Sequence, residues 1–147
     1  MANPGAATTV TANSQALTTQ QALRLIGVAK GVLVSAAGDT AFSVLSSTQN
    51  WVPVSVITSN AVKTSTGATT TVATATVGVY TAPAQGGTTI LTTAALTSQA
   101  ANTYVKIQAA TNAATAVLNA GSVLYANVGT TVSDAQIDIF VYGYDLS

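Results

Sequence analysis

From Lys30 onward, apolar and polar side chains alternate with the period of two that a pleated strand imposes. "GVLVS" and "AFSVLS" flank the turn residues "AAGDT", which reads as a hairpin. "NWVPVSVIT" places Val52, Val54 and Val56 on one face and Trp51, Pro53, Ser55 and Ile57 on the other. Pro53 has no N–H to donate, so this strand is expected at a sheet edge or with a bulge. "TTTVATATVGVYT" reads as one long strand, with Ala73, Ala75, Val77 and Val79 opposite Thr74, Thr76, Gly78 and Tyr80. "APAQGG" turns the chain and "TTILTTAAL" returns. "YVKIQA" sends Val105, Ile107 and Ala109 inward and Tyr104, Lys106 and Gln108 outward. "NAGS" introduces "VLYANVG". A last strand runs from about Asp134 to Gly143. About eight short strands without a long helix predict an all-β fold. A single antiparallel β-sandwich of jelly-roll type is the natural fit.

Two segments complicate this pattern. Residues 1–23 show no sustained period and read as an extended or partly helical arm, leaving 24–147 as the β-sandwich domain. Val10, Leu17 and Leu23 are the arm's candidate contact residues. Thr18 or Thr19 either caps one or two helical turns through "QQALRLIG", or "LRLIGVA" already begins a strand. The closing strand carries Ala135, Ile137, Ile139, Val141 and Gly143 on one face. Its other face starts polar and ends aromatic, at Phe140, Tyr142 and Tyr144. A strand buried on one side only stays polar on the other along its whole length. The aromatic end is therefore expected to be covered on both sides, by another sheet element or another subunit.

Composition narrows the chemistry. The 147 residues include only eight charged side chains: Arg24, Lys30, Lys63, Lys106, Asp39, Asp134, Asp138 and Asp145, with net charge zero. A globular chain normally carries roughly 25% charged residues. Thr, Ser, Asn and Gln do the solvating here, and such a neutral surface loses little on being covered by a partner. It has little attraction for nucleic acid or anionic lipid. No apolar run reaches the length of a membrane-spanning helix. "MANPGAATTVTANS" lacks the basic and apolar regions of a secretory signal.

Cysteine and histidine are absent, and so is glutamate. Disulfides, thiolate metal sites and the usual nucleophile–base pairs are thereby excluded, and no enzyme and no cofactor are expected. Asp134 and Asp138 share a strand face but stand about 13 Å apart at ~3.3 Å per residue. They read as solvated charges at a strand end, or as part of a calcium site completed by a third oxygen donor. No glycine-rich stretch has phosphate-loop spacing. Trp51, beside Gln49 and Asn50, reads as core or interface filler, or as a sugar-stacking platform. Trp51, Tyr104, Phe140, Tyr142 and Tyr144 are the candidate residues for a subunit or capsid interface.

"VGVYTAPAQGGTTIL", then "LTSQAANTYVKIQAA", then "VLYANVGTTVSDAQIDIFVYGYDL" resemble tailed-bacteriophage structural proteins of the capsid decoration, or cement, type. The matching positions are Tyr80–Pro83, Gly86–Thr88, Leu124–Tyr125, Val128–Thr130 and Asp138–Gly143. "RLIGVAKGV" at 24–32 resembles that family's lead into its β domain. The resemblance implies a β-sandwich assembled as a homotrimer. It would bind the phage major capsid protein on the outer surface of the virion after synthesis in the host cytoplasm, with no nucleic acid or membrane partner. The alternative is a tail or head fibre component that contacts host-surface glycan.

Overall fold

The computed structural model describes residues 23–45, 50–97, 99–100, 103–108, 117–119 and 121–145. Eight strands follow in order: β1 Arg24–Leu33, β2 Gly38–Ser43, β3 Trp51–Val62, β4 Thr76–Ala82, β5 Gly86–Ala95, β6 Val105–Gln108, β7 Val123–Val128 and β8 Gln136–Asp145. There is no helix among the described residues. The strands form two antiparallel sheets, in the orders β1-β8-β3-β6 and β2-β7-β4-β5. Only β4 and β5 are successive strands paired with each other. Each other step in the chain crosses from one sheet to the other.

One core cluster joins the two sheets. Ile26, Val32, Val56, Ile137, Ile139 and Val141 come from the first sheet. Phe42, Val77, Val79, Leu91, Leu124 and Ala126 come from the second. Burying a side chain of this size stabilises by roughly 1.5–3 kcal/mol. The period-two pattern is what delivers these residues to one side of each strand. Val77 and Val79 are fully buried, as the sequence pattern requires.

Three sequence expectations change. The proposed hairpin across "AAGDT" does not form: β1 pairs with β8, and β2 pairs with β7. Val34 is the corner. Its N–H donates to the Ala135 carbonyl at 3.0 Å, and its carbonyl accepts from Val132 at 2.9 Å, so the turn is tied to the chain leading into β8. Turn residues specify that the chain reverses, not which sheet it joins. The long strand through "TTTVATATV" is shorter, because Ala75 donates back to the Val72 carbonyl at 2.9 Å and β4 starts only at Thr76. Of the two readings of "LRLIGVA", the strand is the one observed from Arg24 on.

The third change concerns the faces of β3: of the two settings expected for Pro53 the bulge is the one observed, and the strand is flanked on both sides in mid-strand. Pro53 opposes Gly143 and Ser55 opposes Tyr142, so one extra residue is inserted at Val54. A one-residue insertion exchanges the faces of everything beyond it. Trp51 and Pro53 are buried before the bulge, Val56 and Thr58 after it. The single set of faces expected for "NWVPVSVIT" therefore fails past Pro53. Missing amide and bulge coincide, as the chemistry of proline requires.

Candidate functional site

β8 is an inner strand of its sheet, and both neighbours bulge against it twice. β1 gains a residue between Leu25 and Gly27 and another between Ala29 and Val32. β3 gains one between Pro53 and Ser55 and another between Ser59 and Val62. The bulges thus stand in pairs, one pair beside Tyr142 and the other beside Asp138.

Asp138 binds the second pair together. Its Oδ1 accepts the Gly31 N–H at 2.9 Å, and its Oδ2 accepts Asn60 Nδ2 at 3.1 Å. Both donors sit on residues of positive φ, 65° at Gly31 and 55° at Asn60. The left-handed turn suits glycine and is tolerated by asparagine. Asp138 is only 8% exposed, so it is neither a solvated strand-end charge nor an open metal ligand.

The other two aspartates with described side chains are also structural ties. Asp134 accepts Thr64 Oγ1 at 2.6 Å, Ser65 Oγ at 2.6 Å and the Ser65 N–H at 2.8 Å, holding the loop after β3 against the turn before β8. The Ser65 and Thr64 hydroxyls and then the Ser65 amide lower its pKa from 3.8 to about 2. Asp39 accepts the Ala84 N–H at 2.7 Å and Asn127 Nδ2 at 2.8 Å, and these bonds, the Ala84 amide first, lower its pKa. Gln85 Nε2 donates to Asn127 Oδ1 at 2.9 Å, which fastens the β4–β5 turn to the outer face of the second sheet. No group of three potential metal-ligating side chains occurs among the described residues.

Between the two levels of bulges lies a shallow groove of about 330 Å³, lined by Ile57, Ser59, Tyr104, Phe140 and Tyr142. Register explains its floor. Val28 opposes Phe140 on one side, and Ile57 opposes it on the other. All three are half-buried and lie on the face away from the core. Lys106 is the register partner of Ile57 on β6. Leu25 opposes Tyr142, and Val52 opposes Tyr144, which extends the apolar row toward the start of β1. Tyr104 is 68% exposed at the rim, and Tyr144 is 41% exposed at the end of the row.

Four of the five sequence candidates, Tyr104, Phe140, Tyr142 and Tyr144, therefore share one outer face. Its aromatic end is not covered from outside by any described strand. Trp51 does not join them. It is 4% exposed, on the core side of β3, and its indole Nε1 has no hydrogen-bond partner among the described residues. That position does not serve a sugar-stacking platform. Leu23 is exposed at the head of β1, while Val10 and Leu17 lie outside the described residues. Sequence reasoning missed Ile57 and Ser59, because the bulge at Val54 decides which face they occupy.

No family model, no curated protein and no solved structure matches this chain.

Proposed function

We propose that this chain is a non-enzymatic virion structural protein, a decoration protein of a tailed bacteriophage that binds and stabilises the major capsid protein lattice. The observation that carries the reading is the open aromatic face on β8. A central strand presents Phe140, Tyr142 and Tyr144 outward in a chain with eight charged residues. A contiguous apolar face of this kind marks an interaction surface. In this proposal the face joins copies of the chain into a homotrimer on the outer surface of the capsid. The motif resemblance supports the same reading. So do the two four-stranded antiparallel sheets, which in this proposal form a jelly-roll sandwich, an architecture common in viral shells. In this account residues 1–23 are an arm that adds contacts with the lattice.

The second reading, a head or tail fibre component that contacts glycan, draws on Tyr104 and Tyr142 beside Ser59 in an accessible groove. The burial of Trp51 weighs against it.

The test is sedimentation of the purified protein with purified heads that lack it. The decoration reading expects saturable co-sedimentation with heads and none with isolated tails. Protein that stays in the supernatant with heads contradicts it.

A further inference from the structure

The molecule is polarised along its strands. Strand pairing defines one pole by the start of β1, the end of β8 and the start of β3, where Arg24 opposes Gly143 and Trp51 opposes Asp145. The second sheet brings the end of β2 and the start of β7 to the same pole. Ser43 opposes Val123, Val44 bridges to Gly27, and the Leu45 N–H donates to the Ile26 carbonyl at 2.8 Å. Leu118 exchanges two backbone hydrogen bonds with Trp51 there, at 2.8 and 2.9 Å.

Exposed apolar side chains gather at this pole: Leu45 at 58%, Val117 at 50%, Leu23 at 44%, Tyr144 at 41% and Val123 at 40%. Among the described residues, the other large apolar side chains this exposed are Leu33 and Tyr104, which lie elsewhere. Charges are distributed the other way. Lys63 and Asp134 sit in the loops of the opposite pole, and Asp39 and Asp138 sit near the starts of β2 and β8 that lead from it. Among the described residues, the apolar pole carries only Arg24 and Asp145, of opposite sign.

We infer that this apolar pole is the surface that seats the protein on the capsid lattice, against a neutral, apolar protein surface, with the charged pole turned to solvent. The inference rests on the decoration reading and adds the orientation. Two observations select this occupant. An uncharged, apolar surface is matched by a partner equally poor in charge, because an unpaired charge buried against it is costly. In addition, residues 1–22 contain no charged side chain and join the domain at this pole. Fully extended, these residues at ~3.3 Å each span at most ~70 Å. The Tyr104–Phe140–Tyr142 groove lies on the flank of the molecule and stays available for a second copy.

The experiment compares full-length wild type, the double variant Leu45→Glu with Val123→Glu, and Ala36→Glu, which adds a charge in the exposed turn at the opposite pole. Each is titrated onto purified heads lacking the protein, and each is checked by thermal melting and light scattering. The double variant is expected to melt and associate as wild type does but to need on the order of 100-fold more protein for half-occupancy, as buried unpaired charges demand. Ala36→Glu is expected to bind like wild type. If the double variant does not fold, Val117→Glu, outside the strands, takes its place with the same expected loss. Wild-type affinity in a folded pole variant overturns the inference and leaves the decoration reading standing. A pole variant that loses self-association identifies the occupant as a second copy and also overturns it. Failure of wild type to bind heads removes both.

Discussion

Asp138 accepts the backbone N–H of Gly31 at 2.9 Å, a hydrogen bond between residues 107 positions apart. That bond holds the β1 bulge against β8, while Asn60 brings the β3 bulge to the same carboxylate. Charge-assisted hydrogen bonds are each worth about 1.5–3 kcal/mol. Asp138→Ala is expected to destabilise the fold by about 2–4 kcal/mol, read as a lower urea midpoint with unchanged slope. A change under about 0.5 kcal/mol would mean the bulges hold their shape without it.

Asp134 adds to the stability lost in acid. Its folded pKa, about 2, lies below the ordinary 3.8, so the unfolded chain binds more protons between those values. Its contribution is therefore complete above about pH 4 and is lost as pH falls toward 2. Asp39 is shifted in the same direction. Melting temperature should be flat with respect to these groups above pH 4 and fall below it. Asp134→Asn should flatten part of that decline. An unchanged slope in the variant would show that the Thr64 and Ser65 hydrogen bonds do not favour the carboxylate.

Gly143 on β8 leaves no room for a side chain. A Cβ there would collide with the Val52 carbonyl oxygen and stand 3.0 Å from Ile26 Cδ1. Backbone cannot move aside as a flexible side chain can, so Gly143→Ala should cost about 3 kcal/mol, at the upper end of overpacking. Gly121→Ala meets nothing within 4 Å but has φ +72°, and should cost only about 1 kcal/mol. Urea unfolding of the two variants checks the order, and equal costs would contradict the close approach of β3 to β8.

Much of the fold was legible because strands need only a local signal. Val77 and Val79 against Thr76, Gly78 and Tyr80, or Ile137, Ile139 and Val141 against Phe140 and Tyr142, name both strand and face. Sheet membership was not legible. Nothing near "AAGDT" announces that Val34 will bond to Ala135 and Val132, about a hundred residues away. The aromatic half of the groove was readable from β8 alone. Ile57 and Ser59 were not, because the Val54 bulge reverses their face, and proline allowed an edge as well as a bulge. Asp134 and Asp138 looked alike in sequence. Only long-range packing separates a surface loop tie from a nearly buried clamp. The apolar pole depends on strand order, since Leu45, Val117 and Val123 are scattered along the chain.

Head binding should be nearly independent of salt. The Debye length shrinks from about 8 Å at 0.15 M to about 3 Å at 1 M. A contact built on apolar burial and neutral hydrogen bonds does not weaken over that range, whereas a phosphate-binding one loses orders of magnitude. Occupancy on heads should change less than about twofold from 50 mM to 1 M sodium chloride. Loss of most of the protein would mean that the few charges dominate the interface.

Attachment to the capsid lattice can be seen by electron microscopy of intact virions labelled with an antibody against this chain. Label spread over the whole head, at a regular density, is the predicted result. Label confined to the tail, its fibres or a single vertex would contradict it.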